Sequence, residues 1–292
     1  MRFTSTFAAL SSVMALAISA SSASPAADRR STQPSNQVAF VTNCTSTSDQ
    51  PVFTIALDDG IRSQEYHSYV VDAFNKRGYT PFFFTNGDNY DCLFKYRHEI
   101  KKTLKHGQAL YGSHGWAHPN ATAISLEDWE RDIELLELAY INMGLGRPYF
   151  YRFPYGEHND EHLVKLKERG YLAAVQWNQD SYDSWGKTKH EILSMLRQDL
   201  RSPALPKNLL WLNHETQDVD VKQGLLNFEF KHMKKLGKKY VDLPQCLNYN
   251  GPLFAPPTEK ERQLASQLPT NDCKAFAAAY DQLPGPKGRK SL

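Results

Sequence analysis

The sequence predicts a parallel β/α architecture around a buried sheet. Short apolar, β-rich runs recur about seven times, helix-patterned stretches separate them, and neither a glycine-rich phosphate loop nor a P-loop follows the first run, which disfavours a dinucleotide-binding fold. A closed barrel and an open doubly wound sheet both fit this alternation. With 292 residues, 41% hydrophobic and 12% aromatic, the chain can build one large core with tails.

The opening residues, MRFTSTFAALSSVMALAISASSAS, place Arg2 ahead of an apolar, Ser-rich stretch too short to span a membrane and followed by small residues. This pattern predicts a secretory signal over residues 1–23, then a linker or short pro-segment over 24–43 that carries the dibasic pair Arg29-Arg30. The strand runs are VFTIAL (52–57), PFFFTN (81–86), QALYGSH (108–114), YFYRFP (149–154), LAAVQW (172–177), NLLWLNH (208–214) and YVDL (240–243). Helices are expected near 65–77, 93–106, 125–142, 159–169, 188–200 and 221–236, several opening on Ser, Asn or Thr caps. The clearest is SLEDWERDIELLELAYINMG, with its cap at Ser125, early acids and a terminal glycine. The catalytic unit is expected over 44–248. From 249 to 292 the composition turns Pro-rich and polar, and a tail wrapping the domain is expected there, with KAFAAAY as a short helix.

A net charge of +2 argues against nucleic acid as a partner, and the one basic run, KHMKKLGKKY, suits the solvated end of a late helix. No later segment is apolar enough to span a bilayer, and the C-terminal GPKGRKSL lacks the hydrophobic tail of a lipid-anchor signal. The mature protein is therefore expected to be secreted, extracellular or in a cell wall, without a membrane anchor, and monomeric. Sequons at Asn43 and Asn120 fit that route.

In barrels of this kind, loops after the strands converge on one mouth. The first strand ends in Asp58 and Asp59, the third in His114 and His118, and the fourth in Arg152 and Tyr155. Asp180 and Asp183 follow the fifth, and His214 closes the sixth. Any one of these has an ordinary structural reading: an Asp-Gly turn, a loop histidine pair, a surface ion pair. Five sets at one rim do not. Zinc-type ions favour imidazole nitrogen and carboxylate oxygen, and Asp59, His114 and His118 supply three such donors, leaving a position open for water.

The ordered series Asp-Asp-Gly, His-x-x-x-His, Arg-x-Pro-Tyr, Asp-x-x-Asp and Leu-x-His, running from about Cys44 to Cys246, resembles the polysaccharide deacetylases, carbohydrate esterase family four, and among them the secreted fungal chitin deacetylases. The resemblance implies a distorted (β/α) barrel with about seven parallel strands, and metal-dependent removal of acetyl groups from chitin or another N-acetylglucosamine polymer. It makes Asp58 the general base and Asp59, His114 and His118 the ligands of one divalent ion, zinc first and cobalt second. It implies that Tyr155 offers its backbone N–H to the oxyanion, that Arg152 orients Asp58, and that His214 is the general acid. Asp183, or alternatively Asp180, would orient His214; Leu212 would line the acetyl-methyl pocket, and Trp185 lies on a loop near the mouth. The chain departs from the pattern at Ala56 and Leu57, where Thr and Phe are usual, at Gly115 for Ser or Thr, at Trp185, one place later than usual, and at Glu215 for Asp. Loss of the hydroxyl at 115 removes a hydrogen bond from the metal loop.

Four cysteines fit an oxidising compartment and permit three pairings. Cys44 lies just before the first strand and Cys246 just after the last, ends that a closed barrel brings together, so this pairing is favoured; Cys92 with Cys273 follows only by elimination. The same motifs would serve an acetyl-xylan esterase or a peptidoglycan deacetylase, and a non-catalytic chitin-masking protein could keep the fold.

Overall fold

The computed structural model describes residues 36–283. The expected signal segment, Arg29-Arg30 and the last nine residues lie outside them. The strands, in chain order, are β1 Ala39–Val41, β2 Val52–Asp58, β3 Phe82–Thr85, β4 Leu110–Ser113, β5 Arg147–Pro148, β6 Phe150–Tyr151, β7 Ala173–Val175, β8 Gln179–Asp180, β9 Leu209–His214, β10 Lys239–Tyr240 and β11 Phe254–Ala255. The helices are α1 Gln64–Asn75, α2 Arg97–Lys105, α3 Leu126–Asn142, α4 Asp160–Glu168, α5 Lys189–Asp199, α6 Asp218–Val221, α7 Leu225–Lys235, α8 Leu243–Cys246, α9 Glu259–Ser266 and α10 Cys273–Gln282. The main sheet runs β1-β7-β6-β4-β3-β2-β9-β8, with β10 also on β2, and every pairing in it is parallel. β7 and β8 are two halves of one kinked stretch: the first half pairs with β6 and the second with β9, so residues 173–180 bridge the two sides of a distorted (β/α) barrel. The expected strand at 172–177 is thus the first arm of this bridge.

Alternation along β2 explains how it carries both core and chemistry. Phe53, Ile55 and Leu57 pack with the helices, whereas Val52 and Ala56 join Phe82, Phe84, Phe150, Val175 and Leu210 inside the barrel. Asp58 is in phase with Val52 and Ala56 and so faces the interior. The register sets Asp58 beside His214 on β9 and Phe84 on β3. Ser125 caps α3 as expected, and Ser63, Asn159 and Thr188 likewise each accept a backbone N–H from the first turn of α1, α4 and α5.

Two segments outside the expected 44–248 unit are structured. β1, within the expected linker, pairs with β7. Residues 249–283, expected as a polar tail, contain β11, paired with β5, and helices α9 and α10. Ala265, Leu268, Cys273, Phe276 and Tyr280 from this segment are buried, which offsets the entropy of ordering it. Among the described residues no helix is long and apolar enough to cross a membrane. Of the sequons, Asn43 is exposed, and Asn120 caps a short 3-10 turn by accepting from the Thr122 N–H at 3.0 Å.

The disulfides are Cys44–Cys246 and Cys92–Cys273, closing separations of 202 and 181 residues. Peptide mapping without reduction is expected to recover both links, and a Cys44–Cys92 peptide would contradict them. Replacing Cys44 and Cys246 together by alanine is expected to lower the unfolding free energy on the order of 4 kcal/mol, read from denaturant titration.

Candidate active site

At the end of β2 the backbone turns sharply, because Asp59 takes a left-handed conformation with φ 69°. The two adjacent carboxylates are thereby sent to different partners. Asp58 Oδ1 accepts from Arg152 Nη1 at 2.8 Å. Arg152 is fully buried, donating through Nε to the Val175 carbonyl at 3.0 Å and through Nη2 to the Gln176 carbonyl at 3.2 Å, with its guanidinium 4.5 Å over the Phe84 ring. A planar fork held at three points fixes the carboxylate it grips.

Asp59 turns to both histidines, whereas Asp58, gripped by Arg152 through Oδ1, approaches only His114, its Oδ2 lying 3.7 Å from Nε2. Asp59 Oδ1 lies 3.0 Å from His118 Nε2 and 3.5 Å from His114 Nε2, and the ligand atoms of Asp59, His114 and His118 all fall within 4.8 Å of one another. His114 Nδ1 is hydrogen-bonded to the Arg152 carbonyl at 2.8 Å, an acceptor that requires the proton on Nδ1. His114 Nε2 therefore presents a lone pair toward an ionised carboxylate oxygen that has no well-directed hydrogen bond of its own. Lone pairs converging in this way, with the imidazole tautomer set from behind, fit a divalent cation held by two nitrogens and one oxygen.

The loop between the histidines is braced from three sides. Gly115 and His118 both adopt left-handed backbone, with φ 79° and 58°. The buried carboxylate of Asp132, on α3, accepts from Trp116 N at 2.7 Å and Ala117 N at 2.8 Å. Asn86 Nδ2 donates to the His114 and Gly115 carbonyls at 2.8 and 3.1 Å. Trp116 stacks on Phe276 of α10, centroids 5.2 Å apart, and α10 begins at the disulfide-bonded Cys273. A Cβ at position 115 would lie 2.3 Å from Asp132 Oδ2. The serine or threonine expected from the family pattern thus has no room here, and Asp132 supplies the loop hydrogen bonds. Sequence reasoning missed Asp132, although an acid on the core-facing stripe of α3 beside Trp129 and Ile133 was a readable signal.

His214 sits at the end of β9 in the grip of one carboxylate. Asp183 Oδ1 is 2.7 Å from His214 Nδ1, and Oδ2 accepts the His214 backbone N–H at 2.6 Å. Burial would lower the His214 pKa, yet Asp183, with Asp59 and Asp58, pushes it up to about 10. Of the two aspartates considered, Asp183 is the one in contact; Asp180 Oδ1 accepts from Tyr182 N at 2.6 Å. Tyr155, with φ 59°, is exposed and sets its ring 4.7 Å from that of His118. Trp185 is 54% exposed and meets the Tyr182 ring edge-on, whereas Trp116 and Trp211 are buried. Leu212 is buried on β9, in register with Ala56 and Asp180.

Because the loop's shape depends on Asp132, Asp132→Ala is expected to lower zinc affinity by about 10- to 100-fold in a chelator-competition titration, with the protein still folded. Asp281→Ala, which removes only a surface pair with Arg131, is the control and is expected to bind zinc as the parent does. Parental affinity in a folded Asp132→Ala protein would show that the loop does not need this brace.

Residues 45–174 match the family model for polysaccharide deacetylase. The chain is 23% identical to a peptidoglycan-N-acetylglucosamine deacetylase of Bacillus cereus over 211 residues, 72% of this chain and 70% of that protein. It is 29% identical to a chitin deacetylase of Pestalotiopsis sp over 170 residues, 58% of this chain and 54% of that one. The solved structure of a chitin deacetylase from the fungal pathogen Colletotrichum lindemuthianum has the same fold, with TM-score 0.64 at 21% identity, covering 72% of this chain and 92% of that one. The chain carries a polysaccharide deacetylase domain.

Proposed function

We propose that this protein is a secreted, metal-dependent deacetylase that hydrolyses the N-acetyl groups of chitin or chitooligosaccharides, releasing acetate and a chitosan-type product. The observation that carries the reading is the division of the adjacent carboxylates, Asp58 to Arg152 and Asp59 to His114 and His118. Amide hydrolysis needs a base for the attacking water, stabilisation of the oxyanion and an acid for the poor amine leaving group. Asp59, His114 and His118 hold one divalent ion, with zinc the first choice and cobalt the second. When bound, it supplies Lewis-acid polarisation of the acetyl carbonyl and of water.

Asp58, held by Arg152 but free of the ion, takes a proton from the water that attacks the acetyl carbon. The Tyr155 backbone N–H faces the developing oxyanion; one such donor is worth about 3 kcal/mol. His214, oriented and kept protonated by Asp183, passes its proton to the departing nitrogen as the C–N bond breaks. Trp185 offers a flat apolar face to a pyranose ring, and Leu212 lines the acetyl-methyl pocket. The signal-like start over residues 1–23 and the two disulfides support secretion, to the extracellular space or a cell wall, as a monomer. Similarity to the Bacillus cereus protein favours peptidoglycan N-acetylglucosamine as the second substrate to try.

Acetate release from chitooligosaccharides is expected to stop with a chelator and return with zinc. No release from chitin, peptidoglycan or acetyl-xylan substrates by the zinc-loaded protein would leave a non-catalytic binding role. The division of labour predicts a second pattern. His214→Ala is expected to lose about 10²–10⁴-fold more kcat/KM on chitotetraose than on an aryl acetate, whose good leaving group departs unprotonated. Asp58→Asn, which acts on the attacking water, is expected to damage both substrates alike. Equal losses in His214→Ala would remove it from the acid role.

A further inference from the structure

Behind His214 lies a group of carboxyls that the reaction above does not use. Asp183, Asp220 of α6 and Glu229 of α7 are all buried, the last two completely. The Asn213 side chain sits among them, its Nδ2 2.9 Å from Asp220 Oδ1 and 3.0 and 3.1 Å from the two oxygens of Glu229. The carboxyls of Asp220 and Asp183 lie within reach of each other, each acting on the other's ionisation. Among the described ion pairs, no lysine or arginine reaches any of the three; Lys222 pairs with Asp218, and His67 on α1 is taken by Glu215. The cation in contact is His214.

Three buried negative charges around one imidazolium are prohibitively costly, so protons must remain in the cluster. The contacts assign them. Asp183 already accepts from the His214 backbone N–H and from its ring Nδ1, which marks it as the charged member. Asp220 Oδ1 takes the Asn213 amide, while its buried Oδ2 receives no hydrogen bond from any donor. Two carboxyls can share a hydrogen bond only if one keeps its proton, and Oδ2 of Asp220 is the atom left to carry it.

We propose that Asp220 is a positioning residue that stays protonated and donates its O–H to Asp183, and so limits how tightly Asp183 lets His214 hold its proton. A carboxylate that already accepts a third hydrogen bond attracts the imidazolium less strongly than one that does not. Without Asp220, His214 would keep its proton to higher pH and surrender it less readily to a departing amine. Burial acts in the same direction: it raises Asp220 well above the ordinary carboxylate range and Glu229 to about 8, while His214 and the Asp220 hydrogen bond hold Asp183 low. The other charges facing His214 are Asp58 at the end of β2, Asp59 just after it and Asp180 on β8, and the substitutions below leave all three in place.

The catalytic consequence rests on His214 being the acid of the proposed reaction; the hydrogen bond does not, and it is tested without substrate. The His214 ring is followed by NMR titration of the zinc-loaded protein, its signal assigned with His214→Gln. In Asp220→Asn the amide still donates to Asp183, and the midpoint is expected to stay at the parental value. In Asp220→Leu, of similar volume but with no donor, it is expected to rise by about one unit, a tenfold tighter hold on the proton. Should the leucine variant not fold, Asp220→Ala takes its place with the same expectation. On substrate, the basic limb of the kcat profile should move with the midpoint while KM stays put. A parental midpoint in the leucine or alanine variant, or equal shifts in the asparagine and leucine variants, would overturn the proposal. A shift as expected in a protein that releases no acetate would leave the hydrogen bond standing and defeat the proposed function.

Discussion

Two carboxylates on consecutive residues, at the end of a strand buried along its whole length, repel each other when charged unless each is given its own partner. The rest of the site follows from that constraint. Asp58 continues the inward phase of β2 and meets Arg152, and the left-handed turn at Asp59 swings its carboxylate out of that phase toward the histidines. Arg152 links the two halves, since its side chain holds Asp58 while its backbone carbonyl orients His114. A lysine there could not grip Asp58 and two carbonyls in one plane.

The second requirement is rigidity in a loop with two left-handed residues. The chain meets it with partners drawn from far apart: Asn86 after β3, Asp132 on α3, and Phe276 on α10, tied down by Cys92–Cys273. The C-terminal segment is therefore part of the support of the site. Its helices fold because Phe276 and Tyr280 find buried places, despite the Pro-rich stretch that leads into them.

Much of the fold and the donor groups was legible in the sequence because each depends on a short local pattern. Strand runs such as VFTIAL announce themselves by apolar content, helix starts by Ser, Asn and Thr caps, and rim residues by polar side chains where an apolar run stops. What was not legible depends on distance. Asp132 reads locally as one more acid in an acid-rich helix, and its role becomes visible only when Trp116 and Ala117, 16 and 15 residues away, turn their N–H groups to it. Asp220 and Glu229 look like ordinary solvated acids until the fold closes around Asn213. The kink that splits residues 173–180 between two neighbours likewise follows from barrel closure rather than from composition.

The central claim is that one carboxylate of the pair holds the ion while its neighbour stays free. The direct measurement is zinc content and affinity for Asp58→Asn and Asp59→Asn, prepared and loaded side by side. Asp58→Asn is expected to bind one zinc with affinity close to the parent's and to be catalytically dead. Asp59→Asn is expected to lose zinc at concentrations that saturate the parent. If both variants lost zinc equally, or if Asp59→Asn kept it while Asp58→Asn did not, the two carboxylates would not divide the work in this way.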